Sequence, residues 1–353
     1  MNSLKVELGL ARMILHADKP VKVKQLGDVA YPKVMVYQNQ RRAPGLMTHA
    51  ARVLCFSEYC ERHGYQLVVD LKTYFNMNLS PDKVGKENSW EYYYEQPFPD
   101  APPLDDVLKG SRFMLSPSSR KFLLDRDQRI QNSRFSKFPL RLKQTDFIDS
   151  SVPCCLKRHD IYLRCCEACK KFIRFNKRTK EYTDQEYEEL LNGKRVIGVS
   201  IRGTDYSVKR TYGHPIQPEI NDVIEKVNEY ISLYGYDYIY LSCEEYAAVE
   251  RFRSVFPGMV IINNRKFFDN IDFKTSKTGV WAYGFDREND AYLRGLEYLS
   301  SINLLSKCDA LVGGINTGSQ MAYIMNYDRY EHVYFYNLGR YGIDDSSVED
   351  MKR

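Results

Sequence analysis

Between residues 195 and 336, short apolar runs alternate with longer stretches whose apolar residues recur at helical spacing. The runs predict buried strands and the longer stretches predict amphipathic helices. Strands joined in this way through helices pair in parallel, with helices on both faces of the sheet. The chain is therefore predicted to be an α/β protein with about five parallel strands in this doubly wound half. The predicted strands are 195–201, 238–241, 259–262, 310–313 and 332–336, and the predicted helices are 220–233, 247–256, 290–308 and 319–325.

The N-terminal half begins with the same alternation. A strand at 34–37, a helix from 45 to 60 and a strand at 66–70 form a predicted βαβ unit. The aromatic and proline-rich segment 88–103 predicts a packed loop, and 160–176 and 177–194 predict helices. Because 353 residues exceed what one core usually organises, we expect two domains, at 1–190 and 191–353, with the last helix packing back on the first domain.

Charge and composition exclude several classes of function. The net charge of +5 is modest, and its basic stretches, 112–143 and 157–180, accompany no nucleic-acid-binding motif. These stretches favour a solvent-exposed face of the protein. A surface that binds anionic lipid or polyanions is the alternative. No apolar run approaches the length of a membrane span, and no export signal is evident. We therefore expect a cytoplasmic enzyme without a transmembrane segment, with peripheral contact at the inner face of the membrane left open.

Nine cysteines, an odd number without disulfide-framework spacing, fit reduced thiols. The cluster of Cys154, Cys155, Cys165, Cys166 and Cys169 raises the alternative of a zinc site. The apolar, helix-compatible sequence around it favours buried thiols that act as small hydrophobes. We predict no metal site.

Two stretches at predicted strand ends carry groups suited to phosphate. Arg202, in the run 202–206, offers a guanidinium that can donate two hydrogen bonds to phosphate oxygens, and Gly203 permits close approach of a ligand. Residues 314–320 open a helix, and the N–H groups of a helix start attract anions. An interior Arg–Asp pair and ordinary N-capping are the structural alternatives. No P-loop and no G-x-G-x-x-G after a strand is present, which argues against ATPase and dinucleotide-binding functions.

Three segments in the same order resemble a known superfamily. Residues 199–216 are similar to the motif H-x-R-R-[GT]-D followed by H-P of the α-1,6-fucosyltransferase, nodulation fucosyltransferase and protein O-fucosyltransferase superfamily. Residues 240–245 resemble its strand ending in paired acids, and 304–326 resemble its last motif. The resemblance covers roughly 195–326. It implies a GT-B fold of two Rossmann-like domains with a cleft between them, a GDP-fucose donor in the C-terminal domain, and inverting transfer without an obligatory metal or cofactor.

The resemblance also implies roles for individual residues. Arg202 would bind the β-phosphate of the donor, and Asp205 would orient the Arg202 guanidinium. These two are our predicted catalytic residues. The donor-binding residues are Ser200, Arg202, Asp205, Tyr206, His214, Glu244, Glu297, Asn303, Asn316, Thr317, Gly318 and Ser319. Among these, Glu297 and Asn303, with Ser301, are candidates to read guanine, with solvent exposure as the alternative. His214 either closes over the donor or serves as a local hydrogen-bonding residue of its turn.

The motif departs from the family at three positions. Ser200 replaces the histidine of the motif, and Gly203 replaces its second arginine. Arg210 occupies the position at which α-1,6 members of the family have a candidate base carboxylate. Asp205, Glu219, Glu244 and Glu245 remain candidates for the base, and the departing diphosphate is an alternative proton acceptor. The expected partners are a nucleotide-sugar donor and a glycan or polysaccharide-precursor acceptor, with no nucleic acid. Another nucleotide sugar, or a non-catalytic nucleotide- or glycan-binding role, remains open.

Overall fold

The computed structural model describes residues 33–38, 44–62, 64–109, 114–115, 154–204, 208–269, 271, 273, 275–276, 279–343 and 350–352. The strands are Lys33–Gln38 (β1), Tyr65–Asp70 (β2), Met114–Leu115 (β3), Val196–Ser200 (β4), Tyr238–Ser242 (β5), Val260–Ile261 (β6), Ala310–Gly314 (β7), His332–Tyr336 (β8) and Met351–Lys352 (β9). The α-helices are Leu46–Arg62 (α1), Leu104–Lys109 (α2), Cys154–Lys157 (α3), His159–Phe172 (α4), Lys177–Leu190 (α5), Ile220–Tyr234 (α6), Tyr246–Val255 (α7), Asp290–Leu305 (α8) and Thr317–Met325 (α9). Short 3₁₀ helices span Pro81–Lys83 and Val280–Ala282.

The first sheet has the order β2-β1-β3, and all its pairs are parallel. The helix α1 begins at Leu46, and the carbonyl of the preceding Gly45 accepts from the N–H groups of Thr48 at 3.0 Å and His49 at 3.2 Å. It covers the sheet with a face that runs from Leu46 to Cys60 and is almost entirely buried. The predicted βαβ unit is therefore confirmed, and it places the start of α1 just beyond the end of β1.

The second sheet has the order β6-β5-β4-β7-β8-β9. Five strands are parallel, as predicted, and the short β9 adds an antiparallel edge that the sequence did not indicate. Every residue of the central strand β4 is buried, which explains its continuous apolar run. At its end, a Cβ on Gly313 would lie 2.7 Å from the Ser200 carbonyl oxygen, so only glycine fits between β4 and β7 there.

The two sheets share packing elements. The helix α9, which follows β7, packs against α1 and α4. One hydrophobic cluster contains side chains from α1, α4, α8 and α9. The aromatic segment predicted as a packed loop also joins this core: Trp90 stacks on Tyr94 at 4.3 Å, and the buried Tyr93 donates to the Tyr292 carbonyl at 2.8 Å. Segments that precede residue 190 are thereby fixed against segments that follow it.

The cysteines with described side chains are buried, and none of them is in a disulfide. Cys165, Cys166 and Cys169 lie on the inner side of α4, where burial raises the pKa of the Cys166 thiol to about 11. The prediction of small buried hydrophobes is confirmed for these three, whereas the side chains of Cys154 and Cys155 lie outside the described part of the structure. Within the described ranges, no group of His, Cys, Asp and Glu side chains could hold a metal ion, and no helix is long and apolar enough to cross a bilayer.

Candidate functional site

A cavity of about 480 Å³ lies where several strands end. Its size is typical of a small-molecule site. Its walls come from the start of α1, the loop after β2, the segments after β4, β5 and β6, the middle of α8 and the start of α9. Parallel strands present their carboxyl ends at one edge of a sheet, so loops distant in sequence meet there. The cavity therefore gathers residues from both sheets.

Arg202 enters this cavity directly after β4. Its Nη1 forms an ion pair with Glu244, which follows the neighbouring strand β5, and donates to the Thr204 hydroxyl at 3.2 Å. Thr204 in turn donates to Glu244 Oε2 at 3.0 Å. Thr204 has a φ of 59° and is buried, so the chain turns sharply here. The turn holds the guanidinium between the strand ends, with 21% of the Arg202 side chain still exposed.

The start of α9 forms another part of the wall. Asn316 is its N-cap and accepts from the Ser319 N–H at 3.0 Å, while the Ser319 hydroxyl accepts from the Asn316 N–H at 3.1 Å. This reciprocal capping box leaves the N–H groups of Thr317 and Gly318 without helical acceptors, as at any helix start. Asn316, Thr317 and Gly318 line the cavity. Their amide dipoles favour a negatively charged group there.

The cavity has a strong excess of positive side chains. Of the described residues, two that line it are carboxylates, Glu244 and Glu297. Glu297 is held by Arg287, with one Nη2–Oε2 distance of 3.0 Å. The cationic lining residues are Arg52, Arg202, Lys209, Arg265, Lys266 and Arg294. Such a cavity is electrostatically suited to an anion with more than one charge.

The structure brings many of the sequence-predicted site residues together. Arg202, His214, Glu244, Glu297, Asn316, Thr317 and Gly318 all line the cavity. Asp205 and Tyr206 lie outside the described residues. The remaining three, Ser200, Asn303 and Ser319, are buried and do not line the cavity.

These three buried residues lie outside the cavity lining for different reasons. Ser200 is the last residue of β4 and packs against Gly313. Ser319 is fully buried, and its hydroxyl donates to the Gly314 carbonyl at 2.8 Å as part of the cap. Asn303 lies two turns beyond Glu297 on α8, past the part of that helix that reaches the cavity. Their predicted roles in donor binding stay predictions.

The candidate bases also take distinct positions. Glu244 is engaged by Arg202, and Glu245 lies against Gly203, where any side chain would collide with its carboxylate. Glu219 is exposed at the start of α6 and does not line the cavity. Among the described carboxylates that line the cavity, each is therefore already in an ion pair.

Sequence reasoning missed several cationic residues of the cavity. Arg52 comes from the second turn of α1, Arg265 from the loop after β6, and Arg294 from α8, where it pairs with Asp290 at 2.7 Å. Arg52 Nη1 and Arg265 Nε are buried nitrogens that have no hydrogen-bond acceptor among the residues that the structure describes. None of the three follows a motif, so only the packing of the two sheets brings them to one place.

Solved structures of fucosyltransferases share this fold. A NodZ α-1,6-fucosyltransferase soaked with GDP-fucose superimposes with a TM-score of 0.52 at 14% identity, covering 91% of this chain and 99% of that one. This chain has a fucosyltransferase-like α/β fold. The fucosyltransferase NodZ from Bradyrhizobium gives a TM-score of 0.47 at 13% identity over 87% and 96% of the two chains. POFUT1 in complex with GDP gives a TM-score of 0.43 at 9% identity, covering 88% of this chain and 98% of that one. No protein-family model and no curated protein sequence matches the chain.

Proposed function

We propose that this chain is an inverting glycosyltransferase that transfers fucose from GDP-fucose to a glycan or polysaccharide precursor. The observation that carries the proposal is that Arg202 and the start of α9 line the same cavity. A guanidinium and a helix start are two independent phosphate-binding elements, and a diphosphate has one phosphate for each. The fold shared with a fucosyltransferase that was soaked with GDP-fucose supports this donor.

The donor would be held at three points. Arg202 would bind the β-phosphate, with Glu244 and Thr204 orienting its guanidinium. The free N–H groups at Thr317 and Gly318 would bind the other phosphate, while Asn316 and Ser319 hold the helix start in place. Glu297 has a carboxylate at the cavity wall and could accept from the guanine edge. Asp205, Tyr206 and His214 complete the proposed donor site, with Asp205 organising Arg202.

Catalysis in this proposal is electrostatic. The leaving GDP gains negative charge as the glycosidic bond breaks, and Arg202 and the helix start stabilise that charge in a partly enclosed site. The same groups make a metal unnecessary for departure. The attacking hydroxyl must lose a proton, and the described cavity carboxylates are already paired with arginines. Our preferred final acceptor is therefore the departed diphosphate, which takes the proton late and through water, because an inverting attack comes from the opposite face of the sugar.

The remaining features of the proposal concern domains and location. We propose that residues 1–190 face the acceptor and 191–353 the donor, as the two Rossmann-like halves of a GT-B enzyme. The buried free cysteines fit a reducing cytoplasm, with peripheral attachment to the inner face of the membrane left open. A non-catalytic nucleotide- or glycan-binding protein is the second candidate, favoured by the pairing of both cavity carboxylates.

A donor panel tests the proposal. The protein is incubated with GDP-fucose, GDP-mannose, an ADP-linked heptose and UDP-glucose, each with pooled glycan acceptors, and release of the nucleoside diphosphate is measured. We expect turnover with GDP-fucose alone. Turnover with a different donor would replace the fucose assignment. Thermal stabilisation by GDP without turnover of any donor would favour the non-catalytic candidate.

A further inference from the structure

Arg52 is the cationic residue that α1 contributes to the cavity. Thr48 lies one helical turn earlier on the same face and also lines the cavity. Behind Arg52 lies the buried Tyr37, whose hydroxyl interacts with the guanidinium and is hydrogen-bonded at 2.9 Å to His49 Nδ1. The guanidinium therefore lies at the cavity wall, beside two buried side chains.

The charges around Arg52 are unbalanced. Arg202 and Arg294, two other cavity arginines, have carboxylate partners in Glu244 and Asp290. No carboxylate of the described residues pairs with Arg52, and its Nη1 is a buried donor without an acceptor. A buried donor of this kind is unfavourable until a ligand or water supplies an acceptor. Any acceptor oxygen would satisfy this donor, but only an anionic one would also balance the charge of Arg52.

The donor diphosphate does not account for this position. In the proposed function its phosphates are bound by Arg202 and by the N–H groups at the start of α9. Arg265 and Lys266 from the loop after β6 add positive charge from the same second-sheet half. Arg52 instead belongs to the βαβ unit of the first sheet, on the side proposed to face the acceptor.

We propose that the acceptor is an acidic glycan whose carboxylate or phosphate is bound by Arg52, with Thr48 available to an adjacent sugar hydroxyl. This inference rests on the proposed function, since it names the acceptor class for that site. A planar guanidinium binds either anion through two hydrogen bonds, so the two sources share one chemistry. An uncharged acceptor could accept a hydrogen bond from Arg52 but would leave its positive charge without a counter-charge.

Binding to the GDP-saturated protein tests the proposal. Affinities are measured by calorimetry for trigalacturonate and its neutral methyl ester, and for a trimannoside bearing one phosphate monoester and the same sugar after phosphatase treatment. We expect one acidic member to bind about 10-fold more tightly than its neutral counterpart. The pair that shows the preference identifies the anionic group. Equal affinities within both pairs would overturn the proposal.

Variants separate this role from donor binding. Arg52→Gln should abolish the preference for the acidic sugar and leave GDP affinity within about 2-fold, while Arg52→Lys should retain part of the preference because it keeps the charge. Arg62→Gln, on an exposed turn of the same helix, is the matched control and should behave as wild type.

A loss of GDP affinity of more than about 2-fold in Arg52→Gln, with the thermal midpoint unchanged, would assign Arg52 to the donor and overturn the proposal. If wild-type protein fails to bind GDP, the proposed function falls and takes this inference with it, whereas GDP binding without an anionic preference sinks this inference alone.

Discussion

Arg202 and Glu244 form an ion pair across the ends of two adjacent parallel strands, β4 and β5. Both side chains are largely buried, at 21% and 14% exposure, so their mutual attraction is less screened than that of a surface pair. An anion that binds Arg202 must therefore share it with Glu244. The pair orients the guanidinium and at the same time weakens its hold on a ligand.

Glu244→Gln should strengthen nucleotide binding. The amide keeps an oxygen for the Thr204 hydroxyl and removes the negative charge beside the ligand, so we expect GDP affinity to rise several-fold at low salt and the gain to shrink at high salt. Calorimetric titrations at two ionic strengths measure this. Glu250→Gln, on the exposed face of α7, is the control and should change nothing. Weaker GDP binding in Glu244→Gln would mean that Glu244 itself contacts the donor.

Ser319→Ala should reduce stability more than it reduces nucleotide affinity. The Ser319 hydroxyl is buried and serves the capping box, so its loss should lower the free energy of unfolding by about 1–2 kcal/mol. Chemical denaturation measures this, with Ser254→Ala on the exposed side of α7 as the control. Ser319 would be a direct phosphate ligand if the variant kept its stability and lost GDP affinity 10-fold, which is about what one charged hydrogen bond contributes.

Gly295→Ala should destabilise the junction between the aromatic segment and α8. A Cβ at this position would overlap the Tyr93 hydroxyl and lie 2.6 Å from Asn78 Nδ2, so we expect a loss of about 1–3 kcal/mol. Adding Tyr93→Phe should restore part of the stability. Gly45→Ala, whose Cβ would meet nothing within 4 Å, should cost less, because only the N-cap preference for glycine is lost. Equal stability of Gly295→Ala and wild type would show that this junction is loosely packed.

His49 should make the protein less stable in mild acid. Burial and the neighbouring Arg52 lower the pKa of His49 from 6.5 to about 3. The unfolded chain therefore binds a proton that the folded protein does not, and stability falls as the pH drops from 6.5 towards 3, by at most about 1.4 kcal/mol per pH unit. Denaturation of His49→Gln and wild type at several pH values measures the difference. Parallel pH profiles for the two proteins would show that His49 does not titrate this way.

The sequence predicted most of the elements that build the site, because each has a strong local signal. The short continuous apolar runs of β4 and β7 favour buried strands, and Arg202 and Thr317 follow them within three residues. The helix α1 was predicted from its apolar spacing and the glycine before it. In contrast, the antiparallel β9 has two residues, too few for any periodic pattern.

Side-chain direction was the part that the sequence could not supply. Ser319 and Thr317 are equally plausible phosphate ligands as residue types, yet the cap turns Ser319 inward and leaves Thr317 at the cavity. Arg52 and Arg265 carry no motif and reach the cavity only because the two sheets pack together. Such contacts depend on tertiary packing, which a pattern of apolar residues does not encode.

A comparison of GDP with GMP tests the shared diphosphate site most directly. Calorimetry on the wild type and on Arg202→Ala gives four affinities. Arg195→Ala serves as the control, because Arg195 pairs with Glu331 at the opposite end of β4 from Arg202. We expect the wild type and the control to bind GDP at least about 10-fold more tightly than GMP, and this advantage to be lost in Arg202→Ala. An advantage of GDP that is undiminished in Arg202→Ala would contradict the placement of the β-phosphate on Arg202.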